Sequence, residues 1–188
     1  MRDGSATKEM IQRMALRLFV KKGIRETTIR DIAGAAGVAE GTLYRHYVSK
    51  DELAWDLYIT NLLAFGAELD QLKHRHRKVK AQHKAMVERF CGFFDDDPVL
   101  FGYLLLARHE MRKRLTPKMR TPFAVVQETI AEAMERKEVR ERNPLLMAAM
   151  IFGVVQQVAD AVAGGRLQGG MTGFADDLVA ASSRILKG

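Results

Sequence analysis

Apolar residues recur every three or four positions through almost the whole chain. Met10, Ile11, Met14, Ala15, Leu18 and Phe19 fall on one stripe of a helix expected over about 7–22, with Gly23 as its stop. Thr27 or Thr28 then caps a short second helix through Ala36. Gly37 ends it, and a third short helix runs to about Tyr47. Ser49 with Glu52 three residues on has the form of a capping box, opening a long fourth helix. The stripe of that helix is Trp55, Tyr58, Leu62, Phe65, Leu69 and Leu72. Four prolines each follow a good N-capping residue: Asp97-Pro98, Thr116-Pro117, Thr121-Pro122 and Asn143-Pro144. Proline suits the first helical position, where its missing N–H costs nothing. Pro117 and Pro122 are too close for two full helices, so one of them marks a turn. Later helices are expected over about 79–95, 98–114, 122–139, 144–163 and 173–187, with a glycine-rich loop at 163–173. Alternating β-branched runs with hairpin dipeptides are missing, so the predicted class is all-α.

Composition narrows the picture. Of 188 residues, 47% are apolar and 28% charged, which excludes dominant disorder and allows one sizeable core. Cys91 is the single cysteine, so a disulfide scaffold is excluded. One thiol fits a reducing compartment, and a cytoplasmic location is expected. Residues 1–10 are polar, without the apolar segment of a secretory signal. Leu145 to Ala163 is apolar for eleven residues and then meets Gln156, Gln157 and Asp160. Those polar groups favour a buried helix over a bilayer span, and no membrane partner is expected.

The formal net charge is +7, unevenly spread. Residues 1–50 carry ten Lys or Arg against five Asp or Glu. Residues 51–72 carry five acids and no Lys or Arg, and residues 73–89 seven bases and one acid. A basic N-terminal quarter suggests an anionic polymer as partner there.

The informative segment is TTIRDIAGAAGVAEGTLYRHYVSKDEL, Thr27 to Leu53. Ile29, Ile32, Ala33 and Ala36 share one face of a short helix, and Ala33 is small where a second helix must cross closely. Gly37 suits the positive φ of a tight interhelical turn. Val38 and Leu43 then point back into the same small core. This is the pattern of a helix-turn-helix, whose second helix enters the major groove. Ala39, Gly41 and Thr42 are small enough to let that helix approach the bases.

The segment resembles the TetR family of bacterial transcriptional regulators. Thr28, Ile32, Ala33, Ala36, Gly37, Val38, Gly41, Thr42, Leu43, Tyr44, Tyr47, Lys50 and Leu53 carry the resemblance. One departure is Ala39, where the family often has a capping Ser or Thr; the acidic Glu40 follows it. The resemblance implies an N-terminal three-helix DNA-binding domain, taken as 1–48. It also implies a C-terminal helical ligand-binding and dimerisation domain, 49–188 with its connecting helix. It further implies a homodimer on double-stranded DNA, released when a small-molecule effector changes the spacing of the two reading heads.

Roles follow from chemistry. Thr27 and Thr28 hydroxyls, with helix-start amides, suit phosphate oxygens, as do Tyr44, His46 and Lys50. Arg45 suits guanine or a phosphate, Glu40 a cytosine amino group, and Thr42 a thymine methyl or a phosphate. Arg30 is either a backbone contact or a side chain that pairs with Asp31 or simply faces solvent. Leu43 and Tyr47 are expected in the core.

The basic run 73–84 reads as a solvated linker. A second nucleic-acid or membrane contact is the sharper alternative. His74 and His76 diverge on a helix, so metal binding there is disfavoured. Phe90, Phe93, Phe94, Phe101, Tyr103, Met111 and Phe123 are candidates to line an effector pocket, with core packing as the alternative. Gln156, Gln157 and Asp160 face either that ligand or a dimer seam. Helices 144–163 and 173–187 of two subunits are expected to form a four-helix interface. The apolar lining suggests a lipophilic effector.

No catalytic, metal or cofactor site is expected. Neither G-x-S-x-G nor H-E-x-x-H occurs, and the glycine-rich loop lacks a P-loop ending. Asp95, Asp96 and Asp97 read as cap and turn. Two other classes stay open. One is a DNA-binding protein whose partner is a protein rather than a ligand. The other is an all-helical enzyme, which would need a convergent acid/base or metal site in a cleft.

Overall fold

The computed structural model describes residues 4–187. Nine α-helices and two 3-10 turns make up its regular structure, and no strand occurs among the described residues. The helices are α1 Gly4–Lys22, α2 Ile29–Ala36, α3 Glu40–His46, α4 Lys50–Arg75, α5 Val79–Asp96, α6 Pro98–Met111, α7 Pro122–Glu135, α8 Pro144–Ala163 and α9 Ala175–Lys187. The chain packs as two compact units. The first holds the residues through Asn61 and returns for Val99–Leu115, and the second holds Leu62–Pro98 and Thr116 onward. These units are drawn differently from the division at residues 48 and 49, whose outermost residues 1–3 and 188 lie outside the described ones.

In the first unit, Ile11, Ala15 and Phe19 of α1 are buried with Ile32, Ala33, Leu43, Leu53 and Ala54. Met10, expected on that stripe, is exposed. Tyr103 of α6 stacks on Phe19 with ring centroids 5.8 Å apart and donates its hydroxyl to the Ala54 carbonyl at 2.5 Å. Ser49 accepts from the Glu52 N–H as the box predicts. The Glu52 carboxylate accepts from Arg114, whose guanidinium also lies over the Trp55 ring.

The second unit is built from the second half of α4 with α5, α7, α8 and α9. Three of the four prolines open helices, and Pro117 lies in a turn. Thr121 caps α7 and Asn143 caps α8 through their side-chain oxygens. The α7 helix stops at Glu135, short of residue 139. The chain reverses at Lys137, so that the Glu138 carboxylate accepts the Val79 N–H at 2.9 Å and caps α5 from outside. The last helix begins later than residue 173, after a 3-10 turn at Met171–Phe174. Asp95 holds that turn by accepting from the Met171 and Thr172 amides and the Thr172 hydroxyl. Its carboxyl is lowered below the usual range by these donors, against an opposing desolvation. Gly66 has a steric reason: a Cβ there would meet the Arg120 carbonyl.

The run 73–84 is not a solvated linker throughout. Lys73 is buried and pairs with Glu132 at 2.5 Å and Glu128 at 3.4 Å. From Val79 the chain is already α5, with Gln82 and His83 buried. Helical periodicity overrides the charge here: every third or fourth position faces inward among exposed lysines.

α8 turns Met147, Ile151, Val155 and Ala159 into the core. Leu145, Leu146, Ala149, Met150, Gly153 and Gln157 lie exposed on its other side. By length and composition the helix could cross a bilayer, and only 28% of its most apolar window is buried. The expectation of a buried helix therefore holds for one face alone.

Candidate nucleic-acid interface and internal cavity

The head is shaped by caps that are local in sequence. Thr28 accepts the Asp31 N–H at 3.1 Å, and Asp31 accepts the Thr28 N–H at 2.7 Å, closing a reciprocal capping box on α2. Lys22 donates to the same Asp31 carboxylate at 2.7 Å. The Lys22 and Thr28 bonds hold the Asp31 carboxyl far below the usual range. Gly37 adopts φ 65°, and the Gly37 and Val38 amides return to the Gly34 and Ala33 carbonyls. This Schellman closure turns the chain directly into α3.

Leu43 is fully buried behind α3. Ala39, Glu40, Gly41, Tyr44 and Arg45 lie on the exposed side, with Thr42 and His46 half-exposed. Tyr44 leaves 54% of its surface open. Ala39 makes no side-chain cap, as its departure from the motif implies. Tyr47 ends α3 and is a core residue: its hydroxyl accepts from Gln12 and donates to Asp56, both at 2.8 Å. Burial and the Asp56 bond push that phenol well above its usual range.

Lys50 opens α4 and donates to the Arg25 carbonyl at 3.0 Å. Arg30 is exposed, and Lys22 rather than Arg30 is the partner of Asp31. Thr28 is exposed, with its hydroxyl inside the box. Thr27 does not face outward. Its side chain is fully buried and its hydroxyl donates to the Gly23 carbonyl at 2.7 Å, which removes it from any phosphate set.

The second unit holds a narrow apolar cavity of about 40 Å³. Its walls come from α4 (Leu69), α5 (Val79, His83, Met86, Val87, Phe90), α7, α8 and α9. Of the aromatic and polar residues singled out for a pocket, only Phe90 lines it. Phe101, Tyr103 and Met111 belong to the core of the first unit instead. Phe93 stacks on Phe65 at 4.5 Å, Phe94 is buried outside the lining, and Phe123 tilts against Phe152 at 5.3 Å. Gln156 and Asp160 are half-exposed and Gln157 is exposed, so none of the three faces the cavity. The residues that sequence reasoning missed include His83, Met86, Ile151, Phe152 and Val155. A signal for α5 was present: Val79, His83, Met86 and Phe90 are spaced for one helical face, hidden inside a run rich in lysine. No metal-holding cluster occurs among the described residues.

Comparisons with known proteins bear on this geometry. Residues 11–56 match the profile of "Bacterial regulatory proteins, tetR family". The chain is 30% identical over 143 residues to MftR of Mycobacterium tuberculosis, a protein named as a mycofactocin biosynthesis transcriptional regulator. That match covers 72% of this chain and 68% of MftR. The transcriptional repressor KstR2 of the same organism is 38% identical over 81 residues, 43% of this chain and 37% of its own. Among solved structures, the fatty acid degradation regulator FadR of Bacillus halodurans superposes with a TM-score of 0.83 at 20% identity, covering 94% of each chain. FadR of Bacillus subtilis, solved with stearoyl-CoA, gives 0.82 at 17% identity over 93% of this chain and 96% of its own. The helix-turn-helix, the all-helical fold and the similarity to MftR agree: this chain is a transcriptional regulator belonging to the TetR family of bacterial regulatory proteins.

Proposed function

We propose that the chain is a cytoplasmic repressor that grips a pseudo-palindromic operator as a homodimer and lets go when a lipophilic effector enters the second unit. The functional division proposed is 1–48 for DNA and 49–188 for effector and partner. The observation that carries the reading is the exposed side of α3, where Glu40, Gly41, Tyr44 and Arg45 are presented together over a buried Leu43. Small residues at its start let the backbone approach base edges. Tyr44, His46, Thr28, Arg30 and Lys50 supply backbone contacts, while Arg45, Glu40 and Thr42 read bases. Lys50 exchanges the Arg25 carbonyl for a phosphate oxygen on binding.

The partner is a second copy, docked through α8 and α9. Support comes from the exposed Leu145, Leu146, Met150, Ala149 and Gly153, an apolar strip with small residues that permit close helix packing. Support for a lipophilic effector comes from the apolar cavity walls and from the likeness to a regulator solved with stearoyl-CoA. A volume of about 40 Å³ is far below the several hundred Å³ of a ligand pocket, so an effector must part the walls. That displacement is the means of release. The same narrowness is what a regulator controlled by a protein partner would show, and ligand titration separates the two.

The test uses a duplex selected from a random pool. Tyr44→Ala and Lys50→Ala should each weaken binding across sequences and reduce the slope of log affinity against log salt by roughly one. Unchanged affinity in both variants would overturn the assignment.

A further inference from the structure

The first unit holds an open groove of about 650 Å³, against about 40 Å³ for the cavity of the second. Small-molecule sites measure about 300–1,000 Å³, so this space admits a ligand without parting its walls. The walls are the turn after α1, the start of α4 and the end of α6. Their charge is lopsided: Arg25, Lys50, Lys113 and Arg114 stand against two carboxylates, Asp51 and Glu110. The α6 end belongs to the run RHEMRKR, 108–114, with four Lys or Arg and one acid.

Glu110 is met by Arg25 at 3.3 Å, in an exposed pair that solvent weakens. Arg114 is held from two sides. It bonds Glu52 at 2.9 Å, and its guanidinium lies 4.3 Å over the Trp55 ring. A guanidinium has five N–H donors, so others remain for a ligand. Lys50 donates to a neutral group, the Arg25 carbonyl, at 3.0 Å. Lys113 is exposed and has no partner among the described residues. Asp51 offsets one of these two lysine charges.

We propose that this groove is a second ligand site, which takes a small organic molecule carrying two or more phosphate groups. Arg25, Lys113 and Arg114 clamp the phosphates, and the guanidinium forks suit phosphate oxygens. Ile24 and Met111 offer the organic part an apolar surface. One small anion would reach only part of a set of cations drawn from three segments. Lys50 links the site to DNA. It lines the groove with its ammonium on the Arg25 carbonyl, and the proposed function gives that ammonium to an operator phosphate. A polyphosphate in the groove holds Lys50 back, so polyphosphate and operator each lower the other's affinity. This coupling rests on assigning Lys50 to DNA, and the site itself does not.

The experiment is titration calorimetry of the full chain with inorganic tripolyphosphate, paired with operator binding at matched ionic strength. The wild type should bind one tripolyphosphate per chain. Lys113→Gln should bind it about tenfold more weakly, the loss expected for one charged hydrogen bond, while Lys187→Gln, which removes the same charge from α9, should match the wild type. Tripolyphosphate should weaken operator binding several-fold in the wild type and much less in Lys113→Gln. No saturable binding, or equal losses in the two variants, overturns the site. A salt slope for operator binding reduced by about one in Lys113→Gln without the anion makes the groove a seat for the DNA backbone and also overturns it. Tripolyphosphate bound in the groove with no effect on the operator overturns the coupling alone. The Tyr44→Ala comparison judges the DNA reading independently of all these outcomes.

Discussion

The bonds that shape α2 in the head are short in sequence. Thr28 and Asp31 are three residues apart, and Thr27 reaches back four to Gly23. The bonds that frame the cavity are long: 59 residues from Val79 to Glu138 and from Lys73 to Glu132, and 99 from His83 to Ser182. The head is thus written as a motif, in which each cap and turn is decided by its neighbours. The second unit is decided by which helices meet. This is why one region announces its chemistry in a string of letters and the other does not.

The largest effect should come from the residue that ties the local caps together. Leu43 is fully buried under α3. Leu43→Ala should cost about 3 kcal/mol in urea unfolding and abolish duplex binding. A small change would mean that the motif's caps hold α3 without its core anchor, and would weaken the contrast.

The next effect probes the second unit through pH. His83 has a folded pKa of about 4 against 6.5 for a free side chain, because burial disfavours its charge. Between those values the unfolded chain takes up a proton that the folded one refuses. Stability is therefore full above pH 6.5 and falls as the pH drops toward 4, by on the order of 3 kcal/mol. Chemical denaturation from pH 7.5 to 4.5 should show this loss in the wild type and a flatter curve in His83→Phe. Equal curves would mean that the ring is not buried by the α5–α9 contact.

The smallest effect lies in the head. Thr28→Ala breaks the capping box and should cost about 1 kcal/mol, with Thr28→Ser close to wild type. Thermal melting of the two variants compares them directly. If Thr28→Ala were silent, the head would depend on long-range packing as much as the second unit does.

Much of this was legible in the sequence. The first helices, the Gly37 turn, the inward Leu43 and Tyr47 and the outward Tyr44 and Arg45 all follow from periodicity and turn chemistry. Two adjacent threonines are equal as caps in the sequence, and only the packing shows that Thr27 turns in while Thr28 caps α2. The cavity lining is the part the sequence hides. Phe101, Tyr103 and Met111 look like pocket aromatics, yet they fill the core of the other unit. His83 was lost in a run of charge whose every third or fourth side chain is buried.

The sequence by itself determined an all-helical chain with a DNA-reading head, because caps, glycine turns and helical stripes act over three to seven residues. Tertiary structure alone decided that Lys73 is buried against Glu132, that Glu138 caps α5, and that His83 meets Ser182 inside an apolar wall. Those contacts join residues tens of positions apart. No local pattern encodes such a distance, and only the packing of whole helix faces brings the partners together.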